Sequence, residues 1–182
     1  MRIEDGKGGN GDMGVHDQRG QVSSRTNPRI SYASRDEGLA YNAVYDGMTV
    51  AAGEYAAYLK NTSSTRNLFV SDIEFHSVEN VKWKIFSVTG TAASGETVTP
   101  SQLNLSKGIP AEATAMAGDT AITGLTTGVQ LGVHRSIAND PSDMDYHDAL
   151  ILGPGNAIAI EYDTGTTGIC DIDIFFHYED FQ

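Results

Sequence analysis

At 182 residues the chain has room for one domain with a sizeable core, plus an arm or tail. Its formal charge of −12 argues against nucleic-acid binding, which needs concentrated Lys and Arg, and its single cysteine, Cys170, excludes an internal disulfide or a thiolate zinc cage. No run approaches the roughly 20 apolar residues that cross a bilayer, and the N-terminus lacks a secretory apolar core. The expectation is a protein kept or assembled in the cytoplasm, without a membrane partner.

Residues 1–36 form a segment of their own. They hold Gly6, Gly8, Gly9, Gly11, Gly14 and Gly20, and few large apolar residues. They carry six cations and five anions, a net of +1, whereas the other 146 residues carry a net of −13. Such a segment cannot bury enough surface to offset its ordering entropy alone. A plain tail is the simpler reading, but spaced apolar residues and arginines favour an extended N-terminal arm that becomes ordered on a neighbouring subunit. Ile3, Val15, Val22 and Ile30 are the expected anchors. Arg19, Arg25 and Arg29 are expected to reach acidic or carbonyl groups on the partner, a task that suits the planar guanidinium fork.

From about residue 39 short runs rich in Val, Ile, Phe, Tyr and Thr alternate with Gly, Asn, Asp and Ser, which predicts antiparallel strands. Strands are expected near 39–45, 47–52, 54–60, 67–78, 81–89, 128–136, 147–152, 156–163 and 168–178. In the last, Ile172, Ile174, Phe176 and Tyr178 share one face, and Asp171, Asp173, Phe175 and His177 share the other. Helical composition is confined to Pro110–Ala117, and 90–127 reads as long loops. Gly153-Pro154-Gly155-Asn156 signals a turn, and Thr164–Gly168 reads as the turn of a final hairpin. The expected fold class is all-β: residues 37–182 form an antiparallel β-sandwich or jelly roll, preceded by the arm.

Two acidic clusters invite a chemical reading. Asp140, Asp143, Asp145, His147 and Asp148 could converge on a hard cation, but the EF-hand spacing is absent and a solvated acidic loop is expected. Asp171, Asp173 and His177 share a strand face, which plain alternation also produces. No Gly-x-Ser-x-Gly or His-Glu-x-x-His occurs, and the glycine-rich Gly6–Gly11 lacks a Gly-Lys-Ser/Thr ending. Neither a catalytic residue nor a metal or other cofactor is expected.

The opening Ile3-Glu4-Asp5-Gly6-Lys7-Gly8-Gly9, followed by Asp17-Gln18-Arg19-Gly20, resembles the start of a group of tailed-phage virion proteins. Leu39-Ala40-Tyr41-Asn42 and Tyr58-Leu59-Lys60-Asn61 extend the resemblance over roughly the first 75 residues. It implies a non-enzymatic structural protein similar to head decoration (cement) proteins, which form trimers and lock neighbouring subunits with their arms. The partners implied are the major capsid protein and copies of the chain itself, on the capsid surface of a virion assembled in the host cytoplasm. A tail, fibre or head–tail accessory protein is the alternative of the same class. A carbohydrate-binding jelly roll is the alternative of another class, with Tyr32, Tyr41, Tyr45, Tyr146 and Trp83 as stacking candidates, although Trp83 between Lys82 and Lys84 reads better as core.

Overall fold

A computed structural model describes residues 3–4, 10–11, 30 and 33–180. The described N-terminal pieces are β1 (Ile3–Glu4) and β2 (Asn10–Gly11), which pair antiparallel with Ile3 opposite Gly11. A π-helical turn, Ala33–Glu37, leads into the body. The body's strands are β3 (Ala40–Val50), β4 (Tyr55–Asn61), β5 (Arg66–Ser77), β6 (Val81–Gly90), β7 (Glu96–Val98), β8 (Ser101–Gln102), β9 (Ala113–Ala117), β10 (Leu125–Ser136), β11 (Ser142–Leu152), β12 (Ala157–Asp163) and β13 (Gly168–Asp180).

The strands form two antiparallel sheets packed face to face. One has the order β10-β6-β12-β4-β9-β7 and the other β11-β5-β13-β3-β8. Strand β3 pairs with β13, β4 with β12, β5 with β11 and β6 with β10. The chain is therefore one long antiparallel ribbon, folded back at the β6–β10 connection and wrapped so that successive strand pairs fall in alternate sheets. That is the jelly-roll wrap, and the expected all-β sandwich is what the chain forms.

Alternation places the core. Ile172, Ile174, Phe176 and Tyr178 of β13 point inward, as the sequence pattern predicts, and meet Trp83, Ile85 and Leu59 of the opposite sheet in one buried cluster. A second, smaller cluster lies around Tyr58, Val88, Ile122 and Ala159. Burial raises the Cys170 thiol to about 12, the behaviour of a packed core sulfur.

Several expectations need correction. The runs 39–45 and 47–52 are one strand, interrupted by a register shift opposite Cys170 and Ile172 where Gly47 takes φ 63°. The helix-like composition of 110–117 yields to pairing: Ala113–Ala117 is a strand held between β4 and β7. The stretch 90–127, read as loops, carries β7, β8 and β9, which extend both sheets on one side of the sandwich. Residues 164–168 do not close a hairpin, because β12 and β13 belong to opposite sheets. Packing of the body also reaches back into the segment read as an arm, since Ala33 is buried and its carbonyl accepts from the Leu39 amide.

Candidate functional site

Register assembles an acidic face. The acidic stretch expected to be a loop is instead strand β11, with Asp143 opposite Glu74 and Asp145 opposite Asp72. On the other side of β5, Glu74 lies opposite Asp173, and His76 opposite Asp171. Asp143 and Asp145 of one sequence cluster and Asp171 and Asp173 of the other thus share the outer face of the five-stranded sheet, joined through Asp72 and Glu74.

Two of these carboxylates fasten the fold. Asp171 accepts from the Gly47 amide (2.7 Å) at the β3 irregularity and pairs with His76 Nδ1 (2.9 Å). Asp173 accepts from Asn42 Nδ2 at 3.0 Å. Among the described residues no Lys or Arg lies within ion-pair distance of Asp72, Glu74 or Asp143. Burial first, and then neighbouring carboxylates, push Asp72 and Glu74 above the usual carboxylate range. No group of three or more His, Cys, Asp or Glu among the described residues has the geometry to hold a metal ion.

The raised carboxylates give a pH prediction with a definite sign. A carboxylate whose folded pKa exceeds its unfolded value contributes stability that is full below the unfolded pKa and lost as pH rises through the folded one. Neutralising Asp72 as Asp72→Asn is therefore expected to raise stability at pH 7 by about 0.2–1 kcal/mol, the scale of one cross-strand like-charge contact. The gain should vanish near pH 3.5. Melting curves of both proteins from pH 3.5 to 8 check this, and a gain independent of pH would count against charge crowding.

Beside the face lies a buried polar group that sequence reasoning missed. His147 (φ 48°) and Asp148 (φ 62°) adopt left-handed conformations where β11 departs from register between Asp145 and Leu150. This irregularity turns Asp148 inward, where Ser71 Oγ donates to its Oδ1 at 2.6 Å. His177, fully buried and stacked on Phe69 at 5.3 Å, places Nδ1 3.4 Å from Ser71 Oγ and 3.7 Å from Asp148 Oδ1. The Ser, His and Asp composition is that of an acyl-transfer site, but the geometry is not. Serine donates to the carboxylate rather than to the imidazole, and the histidine is fully buried. His147 stays outside, 85% exposed, with Nδ1 2.7 Å from Asp145 Oδ2.

Of the arm residues singled out in the sequence, Ile3 lies in β1 and Ile30 is half-buried. Val15, Arg19, Val22, Arg25, Arg29 and the stacking candidate Tyr32 lie outside the described residues. Burial corrects two of the other aromatic candidates: Tyr41 and Tyr45 are core and offer no sugar-stacking face, while Tyr146 packs partly against the core. Trp83 is core, as its place between Lys82 and Lys84 predicts. Comparison with protein-family models, with curated proteins and with solved structures gives no match.

Proposed function

We propose that the protein is a non-enzymatic virion structural subunit that decorates and stabilises a tailed-phage capsid. In this reading its β domain and residues 1–36 contact the major capsid protein and neighbouring copies of itself. The observation that carries the reading is charge segregation. Asp72, Glu74, Asp143, Asp145 and Asp173 gather on one sheet face, while the first 36 residues hold half of the chain's 12 Lys and Arg. The segment's net charge is only +1, so the complementarity lies in its individual arginines, whose guanidinium groups would pair with face carboxylates of an adjacent subunit. The jelly-roll wrap is compatible, since viral capsid domains use it, but lectins and cupins use it too, so the fold alone does not choose.

Deleting residues 2–30, which spares the buried Ala33, tests the proposal. The truncated chain is expected to keep its melting temperature and to bind purified particles at least tenfold more weakly, about 1.4 kcal/mol, in co-sedimentation. Charge reversal of Arg19, Arg25 and Arg29 to Glu should reproduce most of that loss. If the truncated body unfolds, the segment belongs to the sheet. If particle binding is unchanged, the contacts lie elsewhere.

A further inference from the structure

The two sides of the sandwich treat their sheet edges differently. On one side the sheets end in β7 and β8, of three and two residues, short enough to offer little template for a further strand. On the other side, among the described residues, they end in β10 and β11, of 12 and 11 residues. Strand β11 is guarded, because Asp143 and Asp145 stand exposed along it, and edge charges discourage pairing. Strand β10 is not. From Thr120 to Asn139 the chain has no Asp or Glu, its longest run without one, and Arg135 is the only Lys or Arg there. Along this run Val129, Leu131, Val133 and Ile137 are 70, 41, 39 and 67% exposed.

We propose that β10 is a self-association edge, on which a second copy of the chain lays its own β10 antiparallel across a two-fold axis. Three observations select this occupant. Gly132–Ser136 pairs with β6 without interruption, past the register shifts upstream, so its outer backbone N–H and C=O groups stand in a regular row. Water satisfies such a row in the monomer, and an extended strand can replace it bond for bond. The body's net charge of −13 sets two copies against each other, and the acid-free edge is where that repulsion is least. Finally, the edge is self-complementary. An axis at His134 sets Val133 opposite the aliphatic stem of the second copy's Arg135, with Leu131 and Ile137 flanking that pairing just beyond the ends of the regular row. His134 itself points inward and stacks on Phe75 at 5.1 Å, so no like charges meet at the axis. The two six-stranded sheets become one continuous sheet. The inference stands apart from the virion reading, and it differs from the trimer implied by the family resemblance.

Sedimentation equilibrium of the full chain over a hundredfold concentration range tests it, alongside the double variant Leu131→Lys/Val133→Lys and the control Ile151→Lys on β11. The expected result is a monomer–dimer equilibrium that the double variant weakens at least tenfold and the control leaves unchanged, at equal melting temperatures. Raising NaCl from 0.1 M to 1 M, which shortens the Debye length from about 10 to about 3 Å, should tighten the wild-type dimer. Hydrogen exchange of the outward-pointing amides among 132–136, those not already bonded to β6, should slow as the dimer forms. A monomer at all concentrations, a trimer, or a dimer indifferent to the double variant overturns the proposal. Should the lysines disturb the fold, exchange on the wild-type chain decides: outward-pointing amides of 132–136 left unprotected in an oligomer overturn it equally.

Discussion

Replacing Trp83 by Ala is expected to lower stability by about 3–5 kcal/mol, a large part of the roughly 5–15 kcal/mol that holds a domain folded. Trp83 is fully buried on β6 and joins the two sheets. Its ring stacks on Phe75 of the opposite sheet (centroids 5.0 Å apart) and meets Tyr162 of its own sheet edge-on at 5.4 Å. Nε1 donates to Ser136 Oγ at 2.8 Å, tying the end of β10 into the same cluster. Alanine removes the packing and leaves a buried hydroxyl without its donor. Urea unfolding followed by circular dichroism should show a lower midpoint at nearly unchanged slope. A loss under 1 kcal/mol would mean that the sheets close over the gap and that Trp83 is not the joint between them.

The core was legible where one strand face is buried and the other is wet, because the pleat then writes itself as alternation. Ile172, Ile174 and Phe176 show this, as do Val81, Trp83 and Ile85. His177 breaks the pattern: it lies on the outward face and is fully buried, covered in part by Phe69, which stands opposite it on β5, and by the inward turn at Asp148. No local signal announces that cover, since residues 69, 148 and 177 meet only through register. The misread loop at 140–148 held its own clue. Met144 and Tyr146 alternate with Asp143 and Asp145 and pack against the core, which is the period of a half-buried strand.

Sheet membership was the least legible feature. The turn 164–168 has hairpin chemistry, yet the strands it joins lie in opposite sheets, because in a jelly roll each strand pairs with its counterpart along the ribbon rather than with its neighbour in sequence. The acidic face depends on the same non-local fact. Asp72, Asp143 and Asp173 are far apart in the chain, and two antiparallel pairings, β11 with β5 and β5 with β13, align them. The segment read as an arm is a different matter. Composition identified a segment unlike the body, but complementarity to the acidic face could be stated only after register had gathered the carboxylates.

Replacing Asn61 is expected to be nearly as costly as removing Trp83, although Asn61 contributes no apolar surface. Its side chain is fully buried at the end of β4. Nδ2 donates to the carbonyls of Arg66 (2.9 Å) and Leu152 (2.8 Å), and Oδ1 accepts from the Ser63 amide (3.0 Å). One amide thus ties the last residue of a strand in one sheet to the start of β5 and the end of β11 in the other. Asn61→Ala leaves three backbone groups without this partner, two in buried bonds and one in a partly buried bond. At about 1–3 kcal/mol for each unsatisfied group, reduced where water enters, a loss of about 3 kcal/mol is expected. Asn61→Asp has nearly the same size but, when ionised, can only accept, so it sets a carboxylate against two carbonyl oxygens. Burial and those carbonyls would raise the folded pKa of the introduced group above the unfolded value of about 3.9. By linkage, its cost should be small below pH 4, where the protonated carboxyl still donates one bond, and should grow as pH rises through the folded pKa. Melting temperatures of both variants and the wild type between pH 3.5 and 8 separate the contributions. A pH-independent deficit for Asn61→Asp, or a loss under 1 kcal/mol for Asn61→Ala, would show that the two sheets are held at this corner by their backbone bonds alone.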